Sequence, residues 1–268
     1  MAETTGIAWT DSTFNPWIGC TKVGPGCDHC YAEALDKRHR WGGATHWGSG
    51  VPRQRTSAAN WKKPMAWNRA REKDGKTHRV FCASLADVFD NDVPKEWRDD
   101  LFDLIASTPA LTWLLLTKRI GNAAKMLPWP WTTGKYAMKN VWIGATIVNQ
   151  EEADRDLPKL VSTPAAVRFV SYEPALGPVD WTKFPGIDWI IVGGESTQGS
   201  PARGMSLWWV DETIKQAREI GAAPFVKQLG SAVRLKDRAG ADPAEWPPRY
   251  RVQEFPSCAA ASTRNDRT

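Results

Sequence analysis

With 268 residues, 42% of them hydrophobic, the chain can bury one large core or two smaller ones. No apolar run reaches the length of a membrane span and no basic-then-apolar leader opens the sequence, so a cytoplasmic protein with no membrane partner is expected. The net charge of +5 is uneven: twelve Lys/Arg face only Glu72 and Asp74 between Lys37 and Arg79, which puts that segment at +10 and the rest of the chain at −5.

The first candidate strand is the run Phe14-Asn-Pro-Trp-Ile18, and a Gly/Pro-rich loop follows it. That loop holds Cys20, Cys27 and Cys30, three of the chain's five cysteines within eleven residues. In a reducing compartment clustered cysteines read as ligands rather than disulfides. A closed zinc or iron–sulfur site takes four ligands, so three thiolates leave one position for something other than a side chain. Two readings follow. The three sulfurs hold three irons of a [4Fe–4S] cluster whose fourth iron chelates S-adenosylmethionine (SAM), or they bind structural zinc together with His29 or His39. A place after the first strand of a barrel favours the iron–sulfur reading. Cys82, in an apolar run, reads as core, and Cys258, in a polar tail, as incidental.

The basic segment comes next, with Trp41, Trp47, Trp61, Trp67, His39, His46 and His78 among its cations. Cations interleaved with aromatic rings suit a surface that follows phosphates and stacks on bases. Lys62, Lys63, Arg69 and Arg71 are its candidate DNA contacts, and a solvated helix face is the plain alternative.

Short apolar runs then recur: Val80–Ala86, Leu111–Thr117, Val141–Ile147, Val167–Glu173, Trp189–Gly194 and Ala223–Gln228. Near-continuous apolar runs read as strands buried on both faces. Between them lie helical patterns, with Trp97, Leu101, Leu104 and Ile105 on one face and Trp209, Ile214, Ala217 and Ile220 on another. Pro94 suits a helix start and Gly221 a stop. The alternation implies an α/β fold of parallel βαβ units, a partial (β/α) barrel of about six or seven strands, with an open doubly wound sheet as the alternative. The barrel is expected over residues 1–230, with a basic aromatic-rich insertion at about 37–79. Residues 231–268 read as a peripheral extension with a flexible end. Active residues of such folds lie at strand C-terminal ends. Asp87, Asp90, Lys118, Arg119, Asn149, Glu173, Glu195, Lys227 and Gln228 all stand there. No Ser/His/Asp triad, P-loop or HExxH pattern occurs, which argues against ordinary hydrolases and nucleotide triphosphatases.

Several pieces in order carry a resemblance from Ile7 to about Gly230. They are Trp9-Thr10-Asp11, Phe14-Asn15-Pro16-Trp17, Gly19-Cys20, Cys27-Asp28-His29-Cys30-Tyr31-Ala32-Glu33, Ser84-Leu85-Ala86-Asp87-Val88-Phe89, Leu116-Thr117-Lys118-Arg119, Ser171-Tyr172-Glu173-Pro174, Gly193-Gly194-Glu195 and Lys227-Gln228. Together they resemble the phage-associated radical SAM-like proteins. The resemblance implies a partial (β/α) barrel, a [4Fe–4S] cluster on Cys20, Cys27 and Cys30, bound SAM and an external electron donor. His29 takes the place where the broader superfamily often has an aromatic ring. Six residues separate the first two cysteines where three are common, and Gly-Gly-Glu follows a late strand rather than the second. Ser84 and Asp87 stand in the earlier place, and Thr117, Lys118, Thr146 and His29 complete the expected cofactor contacts.

Relatives in phages that remodel their DNA bases imply a substrate: DNA carrying a modified thymidine, in which an N-linked glycinyl adduct on the thymine methyl carbon becomes C-linked. Such a base must be flipped out or presented single-stranded. Lys118, Arg119 and Arg203 would then face the adduct's carboxylate, and Glu173 and Glu195 its amine or a proton in transit. A photoproduct repair lyase with Cys82 as radical relay, and a zinc-stabilised nucleic-acid-binding protein without catalysis, are the competing readings.

Overall fold

The computed structural model describes residues 5–132, 139–197 and 200–256. Its strands are Ser12–Phe14 (β1), Trp17–Ile18 (β2), Gln54–Arg55 (β3), Arg79–Cys82 (β4), Thr112–Thr117 (β5), Val141–Thr146 (β6), Val167–Tyr172 (β7), Trp189–Gly193 (β8) and Ala223–Gln228 (β9). Its helices are Tyr31–His39 (α1), Ala58–Trp61 (α2), Lys63–Asp74 (α3), Lys95–Ala106 (α4), Ile120–Met126 (α5), Trp129–Thr132 (α6), Gln150–Ser162 (α7) and Leu207–Glu219 (α8).

Seven strands form one all-parallel sheet in the order β1-β4-β5-β6-β7-β8-β9, which is also their order along the chain. A doubly wound sheet reverses direction at a switch point. This order does not, and β1 and β9 are its two ends, so the fold is a partial (β/α) barrel. The expected strand at 14–18 divides instead. Pro16 has no N–H for a ladder, and the Asn15 side chain turns to the neighbouring strand's exit, accepting from Leu85 N at 2.7 Å and donating to Ser84 Oγ at 3.0 Å. The chain leaves the sheet there, and β2 pairs antiparallel with β3 in a separate ribbon.

Two compact units make up the chain: Met1–Val23 with Cys30–Trp142, and Gly24–His29 with Ile143–Thr268. In the first unit β1, β4 and β5 pair in parallel, and parallel neighbours need a crossover. The basic segment lies within the connection from β1 to β4 and carries α2 and α3. Phe14 meets Trp61 and Trp113 edge-on at 5.6 and 5.7 Å. On α4 the buried residues are Leu101, Phe102 and Ile105, with Trp97 moved to the margin against Trp17.

In the second unit β7, β8 and β9 pair in parallel, and Trp189 lies between Phe169 and Phe225, 5.8 Å from each. Val210, Ile214 and Ala217 are the buried positions of α8. The segment after β9 is partly built in. Trp246 and Tyr250 are fully buried, and Val226 N donates to Val252 O at 2.7 Å. The expected flexible end and Cys258 lie outside the described residues. Among the described residues no helix is long and apolar enough to cross a membrane.

Gly144 of β6 sits under a ring: a Cβ there would lie 2.5 Å from carbons of Phe169. Gly144→Ala is expected to lower stability by about 1–3 kcal/mol through overpacking, read as a lower urea midpoint. Gly204→Ala, with open space around its Cβ, should leave the midpoint unchanged.

Candidate functional site

In the first unit the chemistry gathers at the turn after β4. Asp87, buried there, accepts from Thr117 Oγ1 at 2.7 Å, Phe89 N at 2.9 Å, Lys118 N at 3.0 Å and Arg119 Nη1 at 3.2 Å. Arg119 Nη1 also lies 3.3 Å from Cys20 Sγ, and its Nη2 donates to Thr21 O at 2.5 Å. Expected site residues from separate strand ends, Asp87, Thr117, Lys118 and Arg119, are thus brought together beside Cys20. Burial pushes the Cys20 thiol up to about 12, with Asp87 adding to the rise and Arg119 opposing it. Burial works against the Arg119 charge, yet Asp87, Cys20 and Asp90 more than offset it and hold the guanidinium protonated.

The backbone before Cys20 is fixed from two sides. Gly19 N donates to Leu85 O at 3.0 Å, and Gly19 adopts φ 113°, where a Cβ would collide with the His46 carbonyl. Beyond it, Arg53 is wholly buried. It donates to the carbonyls of His46, Gly48 and Val51, to Thr21 Oγ1 at 2.6 Å, and to Asp90 and Asp92. Ser84 Oγ bonds Asn15, and its carbonyl accepts from Tyr31 OH at 2.6 Å.

In the second unit the turn Pro25–Cys27 is held by Arg203. Its Nη1 donates to Pro25 O and to Asp28 Oδ2, both at 3.1 Å, while Nε and Nη2 grip the Glu195 carboxylate. His29 Nδ1 meets Glu195 Oε2 at 2.9 Å. Burial alone would raise Glu195, but the Arg203 side-chain and backbone N–H groups and His29 hold its carboxyl at about 2. Glu195 and Arg203, expected to face a ligand's amine and carboxylate, are therefore each other's partners. What approaches Gly194 is the chain's own backbone, since a Cβ there would lie 2.5 Å from Leu229 O. Glu173 is ion-paired with Lys227, both partly exposed. Thr146 is buried at the end of β6.

The candidate DNA contacts divide. Lys62 and Arg69 are exposed, Lys63 is half-buried, and Arg71 pairs with Asp74 at 2.8 Å. Other members of the basic segment serve the fold. His46 bonds buried Asp36, Arg55 lies 4.2 Å over the Trp61 ring and pairs with Asp100, and Trp67 lies against His78. Arg53, and Lys227 as the partner of Glu173, were not singled out by the sequence. The only signal for Arg53 is an acid-rich Asp87, Asp90, Asp92 turn needing cations from an acid-poor segment; Lys227 stood out only as a strand-end residue.

None of Cys20, Cys27, Cys30 and Cys82 is in a disulfide. Cys82 has no exposed surface, and burial raises its thiol. Among the described residues no three His, Cys, Asp or Glu side chains are gathered into a metal-holding group. The donor set itself fits an iron–sulfur group: three soft sulfurs outside any disulfide in one loop, one of them too buried to ionise readily unless a cation compensates.

The depressed Glu195 has a pH signature. Its contribution to stability is present above about 4.5, the ordinary carboxyl value, and is lost as pH falls towards about 2. Glu195→Gln should cost on the order of 2–3 kcal/mol at neutral pH by urea unfolding, and the gap from the native protein should narrow steadily between those two pH values.

No curated protein matches the chain. A solved structure of a spore photoproduct lyase mutant with bound AdoMet and dinucleoside spore photoproduct aligns at 11% identity and a TM-score of 0.42, covering 81% of this chain. This chain spans 55% of that one. The family described as protein of unknown function (DUF5131) matches residues 4–253, nearly the whole sequence, and the chain belongs to that family.

Proposed function

We propose that this protein is a radical SAM enzyme acting on a modified thymidine in DNA, and that Cys20, Cys27 and Cys30 hold its [4Fe–4S] cluster. One observation carries the reading: three cysteines outside any disulfide lie within eleven residues, in the loop that follows β1 and β2 at the start of a partial (β/α) barrel. When bound, the cluster and SAM supply a 5′-deoxyadenosyl radical able to take hydrogen from an unreactive carbon. The reaction favoured is isomerisation of N-linked to C-linked glycinyl-thymidine. It conserves atoms, moving the bond at the thymine methyl carbon from the glycine nitrogen to the glycine carbon.

The chain's own residues have distinct tasks in this reading. Asp87 is saturated by donors, so it orients Thr117, Lys118 and Arg119 rather than receiving a ligand directly. Glu195, Arg203 and His29 hold the turn that bears Cys27. A glycinyl adduct brings one carboxylate and one amine. The Glu173–Lys227 pair, at the ends of β7 and β9, can exchange its mutual ion pair for those two opposite charges. The exposed cations Lys62 and Arg69 follow the phosphates.

The test is anaerobic iron and sulfide analysis with absorption and EPR spectra, with and without SAM. The native protein should show a broad band near ~400 nm, in the thiolate–iron charge-transfer region, and an EPR signal that SAM perturbs. Each of Cys20→Ala, Cys27→Ala and Cys30→Ala should abolish SAM cleavage, and cleavage retained in any of them refutes its ligand role. A colourless protein holding one zinc would leave the zinc-stabilised nucleic-acid-binding reading. For the DNA surface, Lys62→Gln with Arg69→Gln should reduce the slope of log affinity against log salt by about 2. Lys63→Gln with Arg71→Gln should change it less, because Arg71 is paired with Asp74.

A further inference from the structure

Arg119 was expected to meet a substrate carboxylate, but its Nη1 and Nη2 already have acceptors within the protein. Its side chain is 9% exposed. Nη1 is shared between Cys20 Sγ at 3.3 Å and Asp87 Oδ2 at 3.2 Å, Nη2 donates to Thr21 O at 2.5 Å, and Nε lies 3.8 Å from Asp90 Oδ1. A planar guanidinium held at both ends cannot turn away from the sulfur without breaking its bonds to Asp87 and Thr21. The Asp87 carboxylate is itself fixed by Thr117 Oγ1 and by the backbone N–H groups of Phe89 and Lys118. The sulfur of one cysteine thus faces a cationic N–H donor whose aim is set by a second layer of bonds.

We propose that Arg119 is a positioning residue that sets the reduction potential of the iron–sulfur centre through its N–H···S hydrogen bond to Cys20, with Asp87 aiming it. This rests on the radical SAM reading and deepens it. Reduction adds one electron to a thiolate-ligated centre. A hydrogen bond and a positive charge at a ligand sulfur stabilise the added charge, which raises the potential. Removing the donor lowers the potential and makes the electron harder to deliver. Asp87 contributes by orientation, since its own negative charge acts in the opposite sense.

The experiment is an EPR-monitored redox titration of the reconstituted native protein, Arg119→Gln, Arg119→Lys and Asp87→Asn, compared at matched iron and sulfide content. At the native midpoint, Arg119→Gln should show about a tenfold lower ratio of reduced to oxidised centre, equivalent to about 59 mV for one electron. Arg119→Lys should fall between the two, because an ammonium keeps the charge but loses the planar fork by which Nη1 is held between Cys20 Sγ and Asp87 while Nη2 meets Thr21 O. Asp87→Asn should shift the same way by a smaller factor. If Arg119→Gln does not retain iron, Arg119→Lys decides. An unmoved ratio in Arg119→Lys and in any iron-loaded Arg119→Gln overturns the proposal while leaving the radical SAM reading intact. A native protein that takes up no iron, or only zinc, overturns both.

Discussion

Three guanidinium groups close on the turn after β4, and the first unit is organised around them. The turn presents Asp87 and Asp90 from within and Asp92 at its rim. Arg53 reaches Asp90 and Asp92, Arg119 reaches Asp87 and Asp90, and Arg98 donates to the carbonyls of Val88 and Asp90. Taking so many charges out of water is costly, and their attraction offsets the loss only when each remaining donor and acceptor is also met. That condition explains why Arg53 binds three backbone carbonyls as well as two carboxylates. It also explains why substituting one member would leave its partner charged, buried and alone. The constraint reaches outward to the loop 46–53, the start of α4, the end of β5 and the residues flanking Cys20.

The second unit solves a similar problem with fewer charges. Arg203 binds Glu195 and also Pro25 O and Asp28, so one side chain joins the end of β8 to the turn that carries Cys27. The residues with the most suggestive sequence motif, Gly193, Gly194 and Glu195, are here devoted to holding the chain. The ion pair of Glu173 and Lys227 lies at the ends of the two strands that flank β8. Carboxylates at neighbouring strand ends therefore differ in whether the answering cation also binds the chain elsewhere, as Arg203 does at Pro25 O and Asp28.

Much of this architecture was legible in the sequence. The strands β5 to β9 are continuous apolar runs with polar residues at their ends, and a buried parallel strand leaves few other patterns open. The concentration of cysteines was equally visible. The beginning of the sheet was not: Asn15-Pro16 sits inside an apolar run, and only the Asn15 bonds to Ser84 and Leu85 reveal that the chain departs there. Nor was the basic segment's place in the β1–β4 connection, since charge hides helices that pack through Pro64 and Asn68. Partners such as Arg119 with Cys20, 99 residues apart, or Lys227 with Glu173, 54 apart, depend on strand order and register, which local patterning does not encode.

The span of the bonds around the Cys27 turn bears on when that turn can form. Arg203 lies 178 residues after Pro25 and 175 after Asp28, and Glu195 lies 166 after His29. At a synthesis rate of about 5–20 residues per second, roughly 10–35 s separate the emergence of the cysteine loop from that of the side chains that order it. During that interval the turn that bears Cys27 lacks its anchor, while Cys20 already has Leu85 and Arg119 beside it. Ordering of the Cys27 turn is in this sense a late event, dependent on the last third of the polypeptide, and any premature stop before Arg203 would leave the turn without its clasp.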